Sequence, residues 1–382
     1  MSRVIAVADD LTGAAEIAAI GQAHGLRSLV VRGPEPRLDP TADLVVGDTD
    51  TRLDAPDEAT RRLGAMLDGL SPHPGALWYK KTDSVLRGAV AEECAAMAAW
   101  LGRERTLLVP ANPGLRRQII DGTYLVDGVP LHQTPFARDP RHPATTAQVT
   151  ELLQRFGPHP VHLGQPGRAA REGLVVGETA TSADVTAWAR EVDAQTLAAG
   201  GAEFFAALLR QQGCRPPVVV PPPTVPSPAL IVLGSIADAT HAWRELAISR
   251  GAKFFPLPVG ADPAPPILAG IASLLEKRQT VVIAADARGV ASDSLAQRAA
   301  EVLSGAVAHL YREWAFQHLV IAGGSTAAAI LDRLQWHQLE MAGSWAPGVV
   351  SLAPKSASHF IVTLKPGSYA WPETLNTQLL RA

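Results

Sequence analysis

RVIAVADDLTGAAEIAAIGQAHG, residues 3–25, is the stretch whose reading decides the fold. Val4 to Ala8 form an unbroken apolar run of strand length. Two aspartates, Asp9 and Asp10, stop it, and an Ala/Ile-rich segment of helical length follows at once. A strand apolar on consecutive positions, rather than alternate ones, is covered on both of its faces, which is the mark of a parallel sheet carrying helices on both sides. The same unit recurs outward along the chain. RSLVV, ADLVVGD, ALWYKK and TLLVPAN read as further strands, with helices near DEATRRLGAMLDGL and GAVAEECAAMAAWLG. A second series runs through ALIVLGS, FFPLPV, TVVIAAD, HLVIAGG and HFIVTLK. Repeated strand–helix units of this kind build open α/β layer structures.

A chain of 382 residues exceeds one typical core, so two domains are expected. The boundary is legible in CRPPVVVPPPTVPSP, where seven prolines fall between Pro216 and Pro228. Proline fixes φ and removes a backbone donor, so this segment is no central strand and acts as a semi-stiff linker. The reading is therefore two α/β domains with mainly parallel sheets and a cleft between them: residues 1–215, a linker over 216–228, and residues 229–382. Between Pro110 and Pro143 the periodicity fails, and the segment reads as a long irregular loop.

With 34 Lys+Arg against 37 Asp+Glu the net charge is −3, which argues against nucleic acid or an anionic membrane surface as the main partner. An anionic ligand must then be caught by a few local cations and backbone amides. Cys94 and Cys214 have no paired spacing, which suits a reducing compartment. His159 and His162 lack a third ligand for zinc. MSRVIAVADD has no signal-peptide core, and no run approaches the ~18 apolar residues of a membrane span. The expected location is cytoplasmic.

Polar residues gather where strands end, which in open α/β sheets is where ligands bind. Asp9-Asp10-Leu11-Thr12-Gly13 follows the first strand. Adjacent carboxylates there repel unless they meet a cation, a metal or hydroxyl donors, whereas a helix cap alone would account for one of them. Asp48-Thr49-Asp50-Thr51-Arg52 follows LVVG, and Arg52 offers a planar fork suited to a carboxylate, although a turn with a surface arginine would look the same. Tyr79-Lys80-Lys81-Thr82-Asp83-Ser84-Val85-Leu86-Arg87-Gly88 runs from a buried strand into lysines that are costly there unless paired or solvated. Lys81, Asp83 and Arg87 are candidates for an anion site with an acidic member. His132 and Asp139 lie in the irregular stretch. In the second half Gly234-Ser235, Gly323-Gly324-Ser325-Thr326 and Lys365-Pro366-Gly367-Ser368 each follow a strand. Glycine at a strand–helix turn admits close backbone approach, and a helix N-terminus offers N–H groups to phosphate. Neither a P-loop nor a dinucleotide fingerprint occurs, and no G-x-S-x-G elbow surrounds Ser235 or Ser325.

VADDLTGAAE, DTDTR, YKKTDSVLRG, the PANPG…DGTYLVDGVPLH run, LGS, AGGSTA and LKPGSY, in this order from Asp9 to Tyr369, resemble the four-carbon acid sugar kinase family. The resemblance covers nearly the whole chain, and K-K-x-D-S-x-L-R-G is its most specific string. It implies an N-terminal domain that binds the sugar acid, a C-terminal domain that binds ATP, and phosphorylation of threonate, erythronate or 3-oxo-tetronate-like acids with ATP and Mg²⁺. Carried over, Asp9, Arg52, Lys81 and Arg87 bind substrate. Asp10 and Asp83 are the catalytic carboxylates, either of which would orient or deprotonate the attacking hydroxyl. Ser235, Gly323, Gly324, Ser325, Thr326 and Gly367 hold the nucleotide. The family has an acidic residue in the Gly-Gly-x-Thr turn where this chain has Ser325. That departure keeps open a catalytically weakened binding or regulatory protein, while a sugar-acid isomerase or aldolase would leave the C-terminal glycine turns unused. Mg²⁺ is expected to sit mainly on phosphate and water, with no protein ligand assigned. A homodimer is carried as an expectation for assembly.

Overall fold

The structure, a computed structural model, describes residues 3–380 except 72, 74, 140, 219, 235–237, 260–264, 287–294, 314 and 368. The chain separates into two compact units, Met1–Val218 and Val219–Ala382, so the division falls inside the proline-rich stretch. Both units are α/β, with mainly parallel strands.

In the first unit the elements run β1 (Val4–Ala8), α1 (Leu11–Ala23), β2 (Ser28–Arg32), β3 (Leu44–Asp48), α2 (Pro56–Leu70), β4 (Leu77–Lys81), α3 (Val90–Trp100) and β5 (Arg105–Val109). They continue with β6 (Arg117–Ile120), β7 (Thr123–Val126), β8 (Val129–Pro130), α4 (Val149–Leu153), β9 (Val161–Gly164), β10 (Gly173–Gly177), α5 (Ser182–Ala189), β11 (Thr196–Gly200) and α6 (Ala202–Gln211). Strand order is β2-β3-β1-β4-β11-β5-β10-β9, with all neighbours parallel. Every residue of β1, β2, β3, β5 and β11 is buried, as continuous apolar runs require. The helices supply matching apolar faces. Ala59, Leu63, Met66, Leu67 and Leu70 line the buried side of α2, which opens on Pro56 with Asp57 and Glu58 in its first turn.

The chain leaves β1 toward β2 and β3 on one side, then crosses to β4 on the other. That reversal makes the carboxyl end of β1 a topological switch point, where a ligand crevice forms. Register brings the three strand ends level, since Ala8 pairs with both Asp48 and Lys81.

The second unit contains β12 (Ala229–Leu233), α7 (Asp238–Ser249), β13 (Lys253–Pro258), α8 (Pro265–Glu276), β14 (Val281–Asp286), α9 (Leu295–Arg312), β15 (His318–Ala322), α10 (Gly324–Arg333), β16 (Gln338–Ala346), β17 (Val349–Pro354), β18 (Ile361–Lys365) and α11 (Glu373–Leu379). Strand order is β13-β14-β12-β15-β18-β17-β16. The reversal recurs at β12, whose Leu233 is level with Ala322 of β15. β17 runs antiparallel to both β16 and β18. Among the described residues no helix is long and apolar enough to cross a membrane.

Two segments differ from the sequence reading. The β16–β17 hairpin has no counterpart in it. The stretch over 110–143 is not a loop throughout, because β6, β7 and β8 pair there as a small antiparallel sheet. Asp121-Gly122 and Asp127-Gly128 are its two hairpin turns, each with positive φ at both residues, as two-residue loops of this hand require. The strands are short and half exposed, so they carry no apolar periodicity to read.

Gly200 closes β11 with φ +142 and stands between β4 and β5, level with Lys81 and Val109. A Cβ there would overlap the Val109 carbonyl. Gly200→Ala is expected to destabilise the protein by about 3 kcal/mol or more in denaturant unfolding, since both backbone strain and a steric overlap are imposed. Gly102→Ala, at φ +63 with nothing near its added methyl, should cost only about 1 kcal/mol.

Candidate functional site

The polar site of the first unit is organised by one guanidinium. Arg52, in the loop after β3, donates from Nε and Nη2 to the two oxygens of Asp9 at 2.8 Å each. From Nη1 and Nη2 it also donates to the two oxygens of Asp10, at 2.7 and 2.8 Å. Its Nη1 stands 3.7 Å from Asp83 Oδ1. Asp10 is at the same time the N-cap of α1, accepting from Gly13 N at 2.8 Å and from the Thr12 hydroxyl. Both the capping reading and the charge-pair reading of this aspartate therefore hold. Burial alone would raise the pKa of Asp9, but Arg52 and Lys80 outweigh it and hold the carboxyl below its ordinary range.

Asp83 is gripped in the same way by its own turn. Arg87 Nε and Nη2 bind its two oxygens at 2.9 and 2.8 Å, and the Arg87 amide adds a third bond at 3.0 Å. Desolvation pushes this carboxyl up, yet Arg87 and Arg52 together hold it well below the usual carboxylate range. A carboxylate held so far below its ordinary range binds a proton only weakly. Its geometry suits an organiser of the loop rather than a base. Leu86 adopts φ +63 to close the turn, and Gly88 at φ +82 lets the chain lie against the Arg52 backbone.

Lys80 and Lys81 point to opposite faces of the sheet, as successive strand residues must. Each finds a carboxylate on the helix covering its face. Lys80, fully buried, is 3.2 Å from Glu93 of α3, and Lys81 is 3.4 Å from Glu16 of α1. Glu93 also accepts from Thr51 at 2.6 Å, and Thr51 shares a 2.7 Å bond with Thr49. These partners offset part of the cost of burying two lysines at a strand end.

The small antiparallel sheet and the segment after it complete the surroundings. Asp139 takes the remaining arm of Arg87 at 3.0 Å. His142 Nε2 donates to the Arg52 carbonyl at 2.8 Å. Arg117, the first residue of β6, donates to the Ser84 hydroxyl, and the Tyr124 hydroxyl donates to the Ser84 carbonyl. The guanidiniums of Arg87 and Arg117 lie 5.9 and 5.8 Å from the Phe136 ring centroid.

In the second unit Gly323, at φ +128, is the N-cap of α10, and its amide donates to the Lys365 carbonyl at 3.0 Å. Gly234, at the end of β12, packs so closely on the buried Thr326 that no Cβ fits between them. Ser325 is exposed in the first turn of α10. Lys365 is buried without a carboxylate partner among the described residues. Its Nζ donates to the Gly367 carbonyl at 3.0 Å and lies 5.2 Å from the Trp371 ring centroid. Burial lowers its pKa to about 8. Trp371 in turn stacks on Trp243, with ring centroids 3.8 Å apart.

Asp9, Asp10, Arg52, Lys81, Asp83 and Arg87 thus meet at one switch point, and Gly323, Gly324, Ser325, Thr326 and Gly367 surround the other. Ser235 lies outside the described residues. His132 is exposed, and among the described residues its side chain bonds only its neighbour Gln133. Sequence reasoning missed Glu16, Glu93, Arg117 and His142. Only the glutamates left a signal, as acids on Ala-rich helices next to a lysine-bearing strand.

The sugar-binding N-terminal domain family matches residues 4–208, and the nucleotide-binding C-terminal domain family matches residues 230–372. The D-threonate kinase of Salmonella typhimurium is 28% identical over 270 residues, a match spanning 65% of this chain and 62% of that relative. The 3-oxo-tetronate kinase of Pseudomonas fluorescens is 25% identical over 402 residues, covering 95% and 93%. Among solved structures, Haemophilus influenzae protein HI1011 shares the fold with a TM-score of 0.75 at 18% identity, covering 98% of this chain and 99% of that one.

If Asp83 organises the loop, Asp83→Asn leaves two guanidiniums facing a neutral amide, and stability should fall by about 3 kcal/mol, the cost of breaking a buried ion pair. Equilibrium denaturation without any ligand measures this. Arg61→Ala, which breaks the exposed pair with Glu58, should cost less than about 1 kcal/mol.

Proposed function

The chain belongs to the four-carbon acid sugar kinase family, and we propose that it transfers the γ-phosphoryl group of ATP to a hydroxyl of a four-carbon sugar acid such as threonate, erythronate or 3-oxo-tetronate. The observation that carries this reading is the division of polar chemistry between the two units. The first brings Asp9, Asp10 and Asp83 together with Arg52, Lys81 and Arg87 near the ends of β1, β3 and β4, a setting for hydroxyls and a carboxylate. The second holds glycine turns, a helix N-terminus and a buried lysine without a carboxylate partner among the described residues, a setting for phosphate.

Phosphoryl transfer asks the protein chiefly for positioning and charge stabilisation. Asp10 is the carboxylate assigned to the attacking hydroxyl. Its side chain is 17% exposed against 2% for Asp9 and 6% for Asp83, so it is the most accessible of the three. Thr12, which donates to it, marks a position that a substrate hydroxyl could take. Arg52 fixes the Asp10 carboxylate by two hydrogen bonds, and Lys81 stands beside Gly13. On the nucleotide side the Gly323–Thr326 amides and Lys365 are assigned to phosphate. Mg²⁺ would neutralise charge on the phosphates, with phosphate and water oxygens as its expected ligands.

The direct test is ADP release with ATP, Mg²⁺ and a panel of D-threonate, D-erythronate and 3-oxo-tetronate. At least one acid should support turnover, and Asp10→Asn should lower kcat by about a hundredfold or more while leaving nucleotide affinity unchanged. Binding of acid and nucleotide without turnover would replace the kinase reading by that of a binding protein, the outcome that Ser325 keeps in view. A second measurement concerns Lys365, whose charge is present below about pH 8 and lost above it. Nucleotide Kd, followed by tryptophan fluorescence, should rise as pH passes 8. Lys365→Arg should abolish that dependence, and Lys365→Ala should weaken binding on the order of tenfold already at pH 7.

A further inference from the structure

A carboxylate substrate needs a cation whose charge and donors are still available, and in the first unit most are already committed. Arg52 is closed on Asp9 and Asp10, Arg87 on Asp83 and Asp139, Lys80 on Glu93, and Lys81 stands beside Glu16. An acid brought to any of these must compete with a carboxylate that the fold holds in place.

Arg117 is different. Its Nη1 donates to the Ser84 hydroxyl, and its guanidinium rests near the Phe136 ring. That tethers it to the turn containing Asp83 and Arg87. No carboxylate among the described residues pairs with it, and its Nε and Nη2 have no hydrogen-bond partner there. The Nε–Nη2 edge is the one with which Arg52 grips Asp9 and Arg87 grips Asp83. Two parallel N–H donors on that edge match the spacing of carboxylate oxygens. The side chain is half-buried, so an ion pair formed there is screened less than one in open solvent.

We propose that Arg117 binds the carboxylate of the substrate side-on through Nε and Nη2, and that this contact makes the site select an acid over the corresponding neutral polyol. The proposal rests on the sugar-acid reading above. The arginines then have separate roles, in which Arg52 and Arg87 shape the acidic loops while Arg117 recognises the ligand.

The test is equilibrium binding without nucleotide, by calorimetry, of D-threonate and D-erythronate against the neutral tetritols threitol and erythritol. Wild-type protein should prefer the acids. Arg117→Gln keeps an amide donor for Ser84 but loses the charge and the fork, and it should weaken acid binding at least tenfold while leaving tetritol binding unchanged. Arg117→Lys, which keeps the charge, should recover part of the acid preference. Thermal melts of both variants identify any loss of folding, and the Lys variant alone decides the question if the Gln variant does not fold, because an intact fork is then required for full acid affinity. Equal acid affinity in wild type and variants overturns the proposal. So does an equal loss of acid and tetritol binding, which would mark Arg117 as a support for Ser84. Failure of the sugar-acid reading itself is distinguishable, since wild-type protein would then bind none of the acids.

Discussion

The four hydrogen bonds from Arg52 to Asp9 and Asp10 are the interaction on which the first unit's site depends. Two carboxylates on consecutive residues at a strand end repel by about 4 kcal/mol at 4 Å in a partly screened setting. A cap on α1 satisfies only one of them. A single planar cation with five N–H donors, arriving from the loop after the neighbouring strand, satisfies both. It also ties the end of β1 to the end of β3. Asp83 and Arg87, arriving from β4, extend the same alternation of charge. The result is an arrangement in which guanidiniums hold Asp9 and Asp83 in the charged form and Arg52 fixes Asp10 beside them.

This arrangement changes what an arginine in the site means. A sequence shows Arg52, Lys81 and Arg87 near one another and suggests three hands for an anionic ligand. The structure shows each already holding one of the protein's own carboxylates. Pairing of this kind preorganises a site, because groups that must not move during reaction are fixed before the ligand arrives. It also leaves ligand charge to be met elsewhere, and Arg117 and Lys365 are two cations at strand ends for which the described residues supply no carboxylate partner. Lys365 gains its character from burial beside an aromatic face, whereas Arg117 is tethered by a hydroxyl and an aromatic ring.

Much of the fold was legible because continuous apolar strands and glycine- or aspartate-marked strand ends are local signals. VIAVA, LVVGD and HLVIA name their own environment. The hairpin over 117–130 was not legible as strands, since short, half-exposed strands have no full apolar face to display; β16 is also partly exposed, whereas β17 is an apolar, largely buried run that the sequence reading did not pick out. The Asp-Gly turns over 117–130 were visible, but turn chemistry alone does not say that strands flank it. Lys80 and Lys81 carry a stronger hint than a candidate anion site. Two lysines at the end of a buried strand demand partners on opposite faces, and Glu16 of α1 and Glu93 of α3 supply them.

The amino-acid sequence by itself determined the α/β class, the two-part chain and the strand ends at which polar residues collect, because these depend on composition and short-range periodicity, and it carried the family resemblance in the order of its motifs. Only the tertiary structure decided which charges are spent and which remain available. Arg52 meets Asp9 and Asp10 across more than forty positions of chain, and Arg117 meets Ser84 across 33. Such contacts follow from strand order and register, which bring distant loops to one sheet edge, and no local pattern in the sequence records them.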